Sequence, residues 1–262
     1  MTTQDDALAN IAASGLAAVL KWAAPVAFAR TREDYDEDAG HDQFIIGGHN
    51  FVYLRDLLDR ATSNKRFAVN LDSTGSGDDV LSRGITAAAF ATMPVIEPGL
   101  IVRKDFEQSP GWAAGDIRVL LQSFKYGQID RIQWARPAKK KVANLHFLTS
   151  VPLFDDEEFG LDPQLGIPDD DDFAGTTLVG AHSFDPATGQ YELFVGQSKL
   201  TRYRGDLPWH WREPLLLGGM GPSATIVETE PTMPGSAPSG NADEIVVQVK
   251  QDKRREAGLA DA

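Results

Sequence analysis

The chain has no cysteine among its 262 residues. That absence excludes a disulfide framework, cysteine-ligated zinc, iron–sulfur clusters and thiol catalysis. Long hydrophobic runs are missing as well. The apolar stretch near the N-terminus is broken by Ser14, Gly15, Lys21 and Pro25, and no run approaches the roughly 20 apolar residues of a membrane span. The first residues, Met1-Thr2-Thr3-Gln4-Asp5-Asp6, are acidic where a signal peptide would be basic. These absences predict a cytoplasmic protein with no membrane partner. Positive charge is scarce: 25 Lys and Arg stand against 38 Asp and Glu, a formal net charge of −13. Neutralising phosphates along nucleic acid or an anionic membrane needs concentrated cations, so a protein partner is expected ahead of nucleic acid. Complete catalytic signatures are also lacking. There is no Gly-x-Ser-x-Gly elbow, no His-Glu-x-x-His, no EF-hand loop and no Walker lysine.

What remains is an ordinary globular composition, 42% hydrophobic and 24% charged, in a chain long enough to bury a sizeable core. The patterning predicts an α/β or α+β fold: a mixed sheet with flanking helices, an N-terminal helical segment and a late β-hairpin. Residues 1–228 are read as one globular domain, with N-terminal helices over 7–62, an α/β part over 67–150 and a β-rich part over 173–228. A Pro-, Gly- and Ser-rich linker at 229–243 then leads to a C-terminal strand and charged tail at 244–262.

Within that plan, Asp5 or Asp6 caps a helix over 7–30, in which Pro25 makes a kink or starts a second segment. Residues 44–46 read as a short strand ending in a Gly47-Gly48 turn. A helix over 49–62 places Phe51, Leu54, Leu57 and Leu58 inward and Arg55, Asp56, Asp59 and Arg60 outward. Residues 67–71, 72–79 and 80–91 read as strand, small-residue loop and helix. Residues 100–102 and 144–148 read as strands, and 116–126 as a helix with Ile117, Leu120, Leu121 and Phe124 on one side. The hairpin signal is the plainest: 176–184 and 190–195 flank Asp185-Pro186-Ala187-Thr188-Gly189. The sheet is expected to be built around 67–71 and 144–148, with the hairpin extending it.

Four stretches could carry function. In the loop after residue 71, Asp72-Ser73-Thr74-Gly75-Ser76 resembles the Asp-x-Ser-x-Ser metal-ion-dependent adhesion motif of von Willebrand factor A-type domains, with Thr74 where that family has its first Ser. The resemblance implies that Asp72, Thr74 and Ser76 hold Mg²⁺ directly or through water. Gly75, Ser76 and Gly77, opening a helix, could instead cradle an anion, or the stretch is a polar turn capping the next helix. Second, Asp34, Asp36, Asp38, His41, Asp42 and His49 crowd carboxylates and imidazoles together, a donor set that can bind a divalent cation and activate water. Their spacing matches no metal signature, and a solvated acidic loop reads the same way.

Third, two basic and aromatic stretches stand out in an acidic chain: Arg131, Trp134, Arg136 and Lys140, then Arg202, Arg204, Trp209 and Trp211. Such residues suit a protein interface or stacked bases, or they neutralise the acidic runs at 155–158 and 169–172. Fourth, Asp243 with Gln248 and Lys250 on an apolar stretch is similar to the catalytic strand of restriction-type nucleases, where such residues hold Mg²⁺ and polarise a phosphate. His146 and His182, on apolar segments, read as hydrogen-bonded core histidines. With no catalytic set complete, the sequence points to a binding or interaction protein. The alternative is a Mg²⁺-dependent hydrolase or nuclease acting on a phosphorylated or nucleic-acid substrate.

Overall fold

Asp185-Pro186-Ala187-Thr188-Gly189 turns the chain back on itself, and the hairpin it closes is the centre of the sheet. A computed structural model describes residues 3–68, 77–134, 136–150, 172–201 and 205–219. In it β4 (Thr176–Asp185) pairs with β5 (Gln190–Ser198), as the sequence predicts. β6 (Trp209–Gly219) adds to β5, with register shifts at Leu193/Phe194 and Gln197/Ser198. On the other side β4 runs parallel to β3 (Ile117–Ser123), Val119 opposite Leu178. Then β2 (Gly111–Ala114) and the short β1 (Val102–Arg103) follow antiparallel. The result is a six-stranded mixed sheet in the order β1-β2-β3-β4-β5-β6. With helices early and strands late, this is the α+β form of the predicted class.

The helices begin with α1 (Gln4–Ala13), whose Thr3 and Asp6 form a reciprocal capping box. Gly15, in the left-handed region at φ 79°, breaks the predicted long helix into α1 and α2 (Leu16–Asp34). Pro25 stays inside α2. Asp42 caps α3 (Gln43–Ala61) by accepting from the backbone N–H groups of Phe44 and Ile45. Alternate residues of the sheet face opposite layers. Ile117, Val119 and Leu121 of β3, with Leu178 and Phe184 of β4, pack against α1, α2 and α3. Val179, Ala181 and Phe194 pack with Trp134, Ala143 and Trp209 on a second cluster, and Leu120 packs with Ala138 and Val142 of α6 (Pro137–Ser150) on a third. No single described helix is long and apolar enough to cross a membrane. The α1 and α2 pair would pass on composition together, but is bent by 75°.

Several elements differ from the sequence reading. Residues 44–46 belong to α3, because the Asp42 cap starts the helix earlier and Gly47 and Gly48 continue it. Residues 116–126 are not a helix: β3 is buried on both faces, so its apolar residues run together and imitate helical spacing. Residues 144–148 lie in α6, where Pro137 takes the first helical position and Ala138 and Val142 supply the apolar spacing. Lys65–Phe67 is one turn of 3₁₀ helix, not the start of a strand, and 69–71 lie outside the described residues. The predicted helix over 80–91 is two short ones, α4 (Asp78–Leu81) and α5 (Ala87–Ala91), separated by Gly84 at φ 72°. Thus the sheet is organised on β3, β4 and β5. By contacts the chain divides into Met1–Ser223, which holds all the described residues, and Ala224–Ala262, in which the linker and the 244–250 strand lie outside them.

Candidate anion-binding cavity

A 3₁₀ turn, the second half of α3, the end of α2, the α4–α5 connection and β1 surround a cavity of about 620 Å³. Its lining is unlike the chain around it. Arg30, Arg55, Arg60, Lys65, Arg66, Arg83 and Arg103 face Asp56 and Asp59 there, and Asp105 pairs with Lys65 and Arg103 beside them, seven cationic groups against three carboxylates, a local excess of four positive charges (7 − 3).

Arg60 is the fixed centre of that charge. Only 4% exposed, it donates from Nη1 to the Leu81 and Arg83 carbonyls at 2.6 and 2.8 Å and from Nη2 to Asp56 at 2.6 Å. Its buried Nε has no hydrogen-bond partner among the described residues. Asp56 also takes Arg66, so one carboxylate holds two guanidiniums. Both lie against the buried Phe67 ring, 5.3 and 4.7 Å from its centroid.

Asp59 plays the same part for β1. It accepts from Arg103 and, at 3.1 Å, from the Trp112 indole N–H. Burial raises its carboxyl above the usual carboxylate range, and the hydrogen bonds and charge of Arg103 only partly offset this. Asp105 has the opposite balance: burial pushes its carboxyl up, but Arg103's hydrogen bond and charge hold it below the usual range. Arg103 itself lies 4.3 Å from the Trp112 ring centroid. The helix residues expected to face outward therefore divide, with Asp59 and Arg60 buried and Arg55 and Asp56 half-buried. The reason is that their partners come from outside the helix, on β1 and the α4 connection.

The remaining cations are less committed. Arg30 stacks 4.1 Å from the Tyr53 ring centroid, and the Tyr53 hydroxyl donates to Asp34. Burial first, then Asp34, raises the Tyr53 hydroxyl pKa. Arg30, Arg55 and Arg83 have no carboxylate partner among the described residues. Fixed guanidiniums on aromatic faces, with others left unpaired by carboxylates, present donors of the kind that suits bidentate contact with phosphate-type oxygens.

The sequence-predicted sites fall elsewhere. Asp72, Thr74, Gly75 and Ser76 lie outside the described residues, while Gly77 is the N-cap of α4 and makes no side-chain cap. Asp36, Asp38 and His41 form a turn. Asp36 accepts from the N–H groups of Asp38 and Ala39 at 3.0 and 3.2 Å, and His41 Nδ1 accepts from the Asp36 N–H at 3.1 Å. Among the described residues no three His, Asp or Glu side chains are placed to share a metal ion. Of the basic and aromatic stretches, Arg202 and Arg204 lie outside the described residues, and Arg131, Arg136 and Lys140 are exposed. Trp134 and Trp209 are buried edge to face, centroids 5.1 Å apart, with indoles donating to the Lys199 and Ile129 carbonyls at 2.8 and 3.1 Å. Half-buried Trp211 donates to Gln197 at 3.0 Å. Arg212 pairs with Asp130, outside the acidic runs at 155–158 and 169–172, and Asp172 pairs with Lys104, outside the two basic stretches.

Sequence reasoning missed the cavity. The signal available was the density of Arg55, Arg60, Lys65 and Arg66 within one short stretch of an acidic chain. Arg30, Arg83 and Arg103 join it only through the fold. The architecture and the cavity define an α+β protein with a strongly cationic pocket beside its third helix. Compared with known proteins, the chain matches no family model, no curated protein and no solved structure.

Proposed function

We propose that the chain binds a compact, multiply charged phosphorylated anion in the cavity beside α3, as a binding protein. The observation that carries this is a local excess of four positive charges, with Asp105 counted beside Lys65 and Arg103 (7 − 3), in a chain of net charge −13. So many like charges repel one another, and clustering them costs stability unless an anion neutralises them. The size supports it too, since ligand pockets run about 300–1,000 Å³. Asp56 and Asp59 serve here as struts that orient guanidiniums, with their oxygens committed to Arg60, Arg66, Arg103 and Trp112. That arrangement suits holding a ligand rather than activating water.

Titration calorimetry with inorganic triphosphate at low salt tests the reading. The wild type binds, and Arg55→Ala with Arg83→Ala weakens binding by about tenfold or more, as loss of charge-assisted hydrogen bonds predicts. Absence of binding by the wild type, or equal binding by the double variant, would sink the proposal.

A further inference from the structure

A second opening, about 290 Å³, lies between the first half of α3 and the end of β3. Phe44, Gly47, Gly48 and Phe51 form its helical wall, Leu121, Gln122 and Ser123 its strand wall, and Arg136 its rim. Phe44 is 82% exposed. Neither glycine has any atom within 4 Å of where a Cβ would stand, and neither has a positive φ. Adjacent glycines inside a helix weaken it. Internal packing and backbone conformation do not require these two, so the smooth surface they leave is a feature of the groove.

The strand wall supplies a second, independent observation. The β2 ladder on β3 ends at Gly111 opposite Leu120, because Pro110 has no N–H to continue it, while the β4 ladder runs on to His182 opposite Ser123. Over its last three residues β3 is therefore a sheet edge, with no strand on its β2 side among the described residues. The Phe124 N–H donates to the His182 carbonyl at 3.1 Å. By strand alternation Gln122 also turns its backbone toward β4, and Leu121 and Ser123 turn theirs toward the groove. The Gln122 side chain caps the Ser123 carbonyl at 2.7 Å, an exposed hydrogen bond that an incoming strand can replace.

We infer that this groove takes an extended peptide from a protein partner as an added strand on β3, with an apolar side chain over Gly47 and Gly48 and a carboxylate facing Arg136. Main-chain hydrogen bonds to an open edge supply affinity in this mode, and alternate side chains supply specificity. Phe44 and Phe51 flank the glycine shelf, and Arg136 lies 5.9 Å from the Phe51 ring centroid, which places the charge at the rim of the apolar floor.

The test pans a phage library of random peptides, about ten residues long, on the full chain and titrates the strongest binder calorimetrically. Enriched peptides should alternate apolar residues and carry an Asp or Glu at a fixed offset. Gly48→Leu fills the shelf, and N-methylation of alternate peptide amides removes the strand hydrogen bonds. Each weakens binding by about tenfold or more, whereas N-methylation of the intervening amides does not. Arg136→Glu reverses the acidic preference. Leucine is a better helix former than glycine, so the Gly48→Leu melting temperature does not fall, which separates a blocked groove from an unfolded chain. No enrichment, or a binder indifferent to both Gly48→Leu and N-methylation, overturns the inference. So does concentration-dependent dimerisation abolished by Gly48→Leu, which would make a second copy of the chain the occupant.

Discussion

A buried imidazole on β4 makes the stability of this protein sensitive to acid. His182 on β4 is 0% exposed, packed beside Phe28 with ring centroids 6.2 Å apart, and neither ring nitrogen has a hydrogen-bond partner among the described residues. The sequence predicts a hydrogen-bonded core histidine; the imidazole is in the core as expected, but both its nitrogens are left without a partner among the described residues. Burial, with a smaller contribution from the Lys139 charge, lowers its pKa from 6.5 to about 4. Between those values the unfolded chain binds a proton that the folded chain does not, so stability falls as pH drops through that window. At pH 5 the loss is about 2 kcal/mol, or about 4–8 °C in melting temperature for a domain of this size. His182→Leu keeps the apolar contacts and removes the titration, so its melting temperature declines less between pH 6.5 and 5 than that of the wild type. Parallel declines in the two proteins would assign the acid sensitivity to other groups.

Strain at the scale of an element gathers in the turn before β2. Phe106 and Ser109 exchange two backbone hydrogen bonds of 2.9 and 2.7 Å, closing a two-residue loop in which Glu107 and Gln108 have φ of 43° and 63°. Such turns are built for Asn-Gly, and side chains in the left-handed region cost energy there. Helix α6 holds the turn in place: Lys141 pairs with Glu107, and buried Lys139 donates to Ser109 Oγ at 2.7 Å. Burial first, then the Arg136 charge, lowers the Lys139 amine pKa to about 8. Gln108 is exposed and its side chain makes no hydrogen bond or ion pair among the described residues, so Gln108→Gly should stabilise the fold by about 0.5–1 kcal/mol. Urea unfolding should show a higher midpoint at unchanged slope, and a lower midpoint would refute the strain. This turn also marks the limit of sequence reading. The 176–195 hairpin was legible because turn chemistry and alternation agree locally. β3 and α6 were not, since burial on both faces of β3 mimics a helix stripe and the apolar end of α6 mimics a strand. Deciding between them needed partners distant in sequence.

At the scale of the whole molecule, the net charge of −13 concealed the candidate site. Averaged charge argued against nucleic acid and anionic membranes, while the fold drew Arg30, Arg83 and Arg103 in beside the Arg55–Arg66 cluster. Only that cluster could be read from the sequence. Charges inside a partly enclosed cavity are poorly screened, whereas those more than about 8–10 Å away across solvent are largely neutralised at physiological salt. Recognition of a small polyanion should accordingly follow local charge. Arg83→Glu and Arg131→Glu each change the net charge from −13 to −15 (−13 − 2), but Arg83 lines the cavity and Arg131 does not. Both side chains are exposed, so neither change disturbs the core. At physiological salt Arg83→Glu should weaken triphosphate binding by about tenfold or more, and Arg131→Glu by less than about twofold. Equal losses would mean that the anion senses the molecule's overall field, and the cavity would no longer be needed to explain binding.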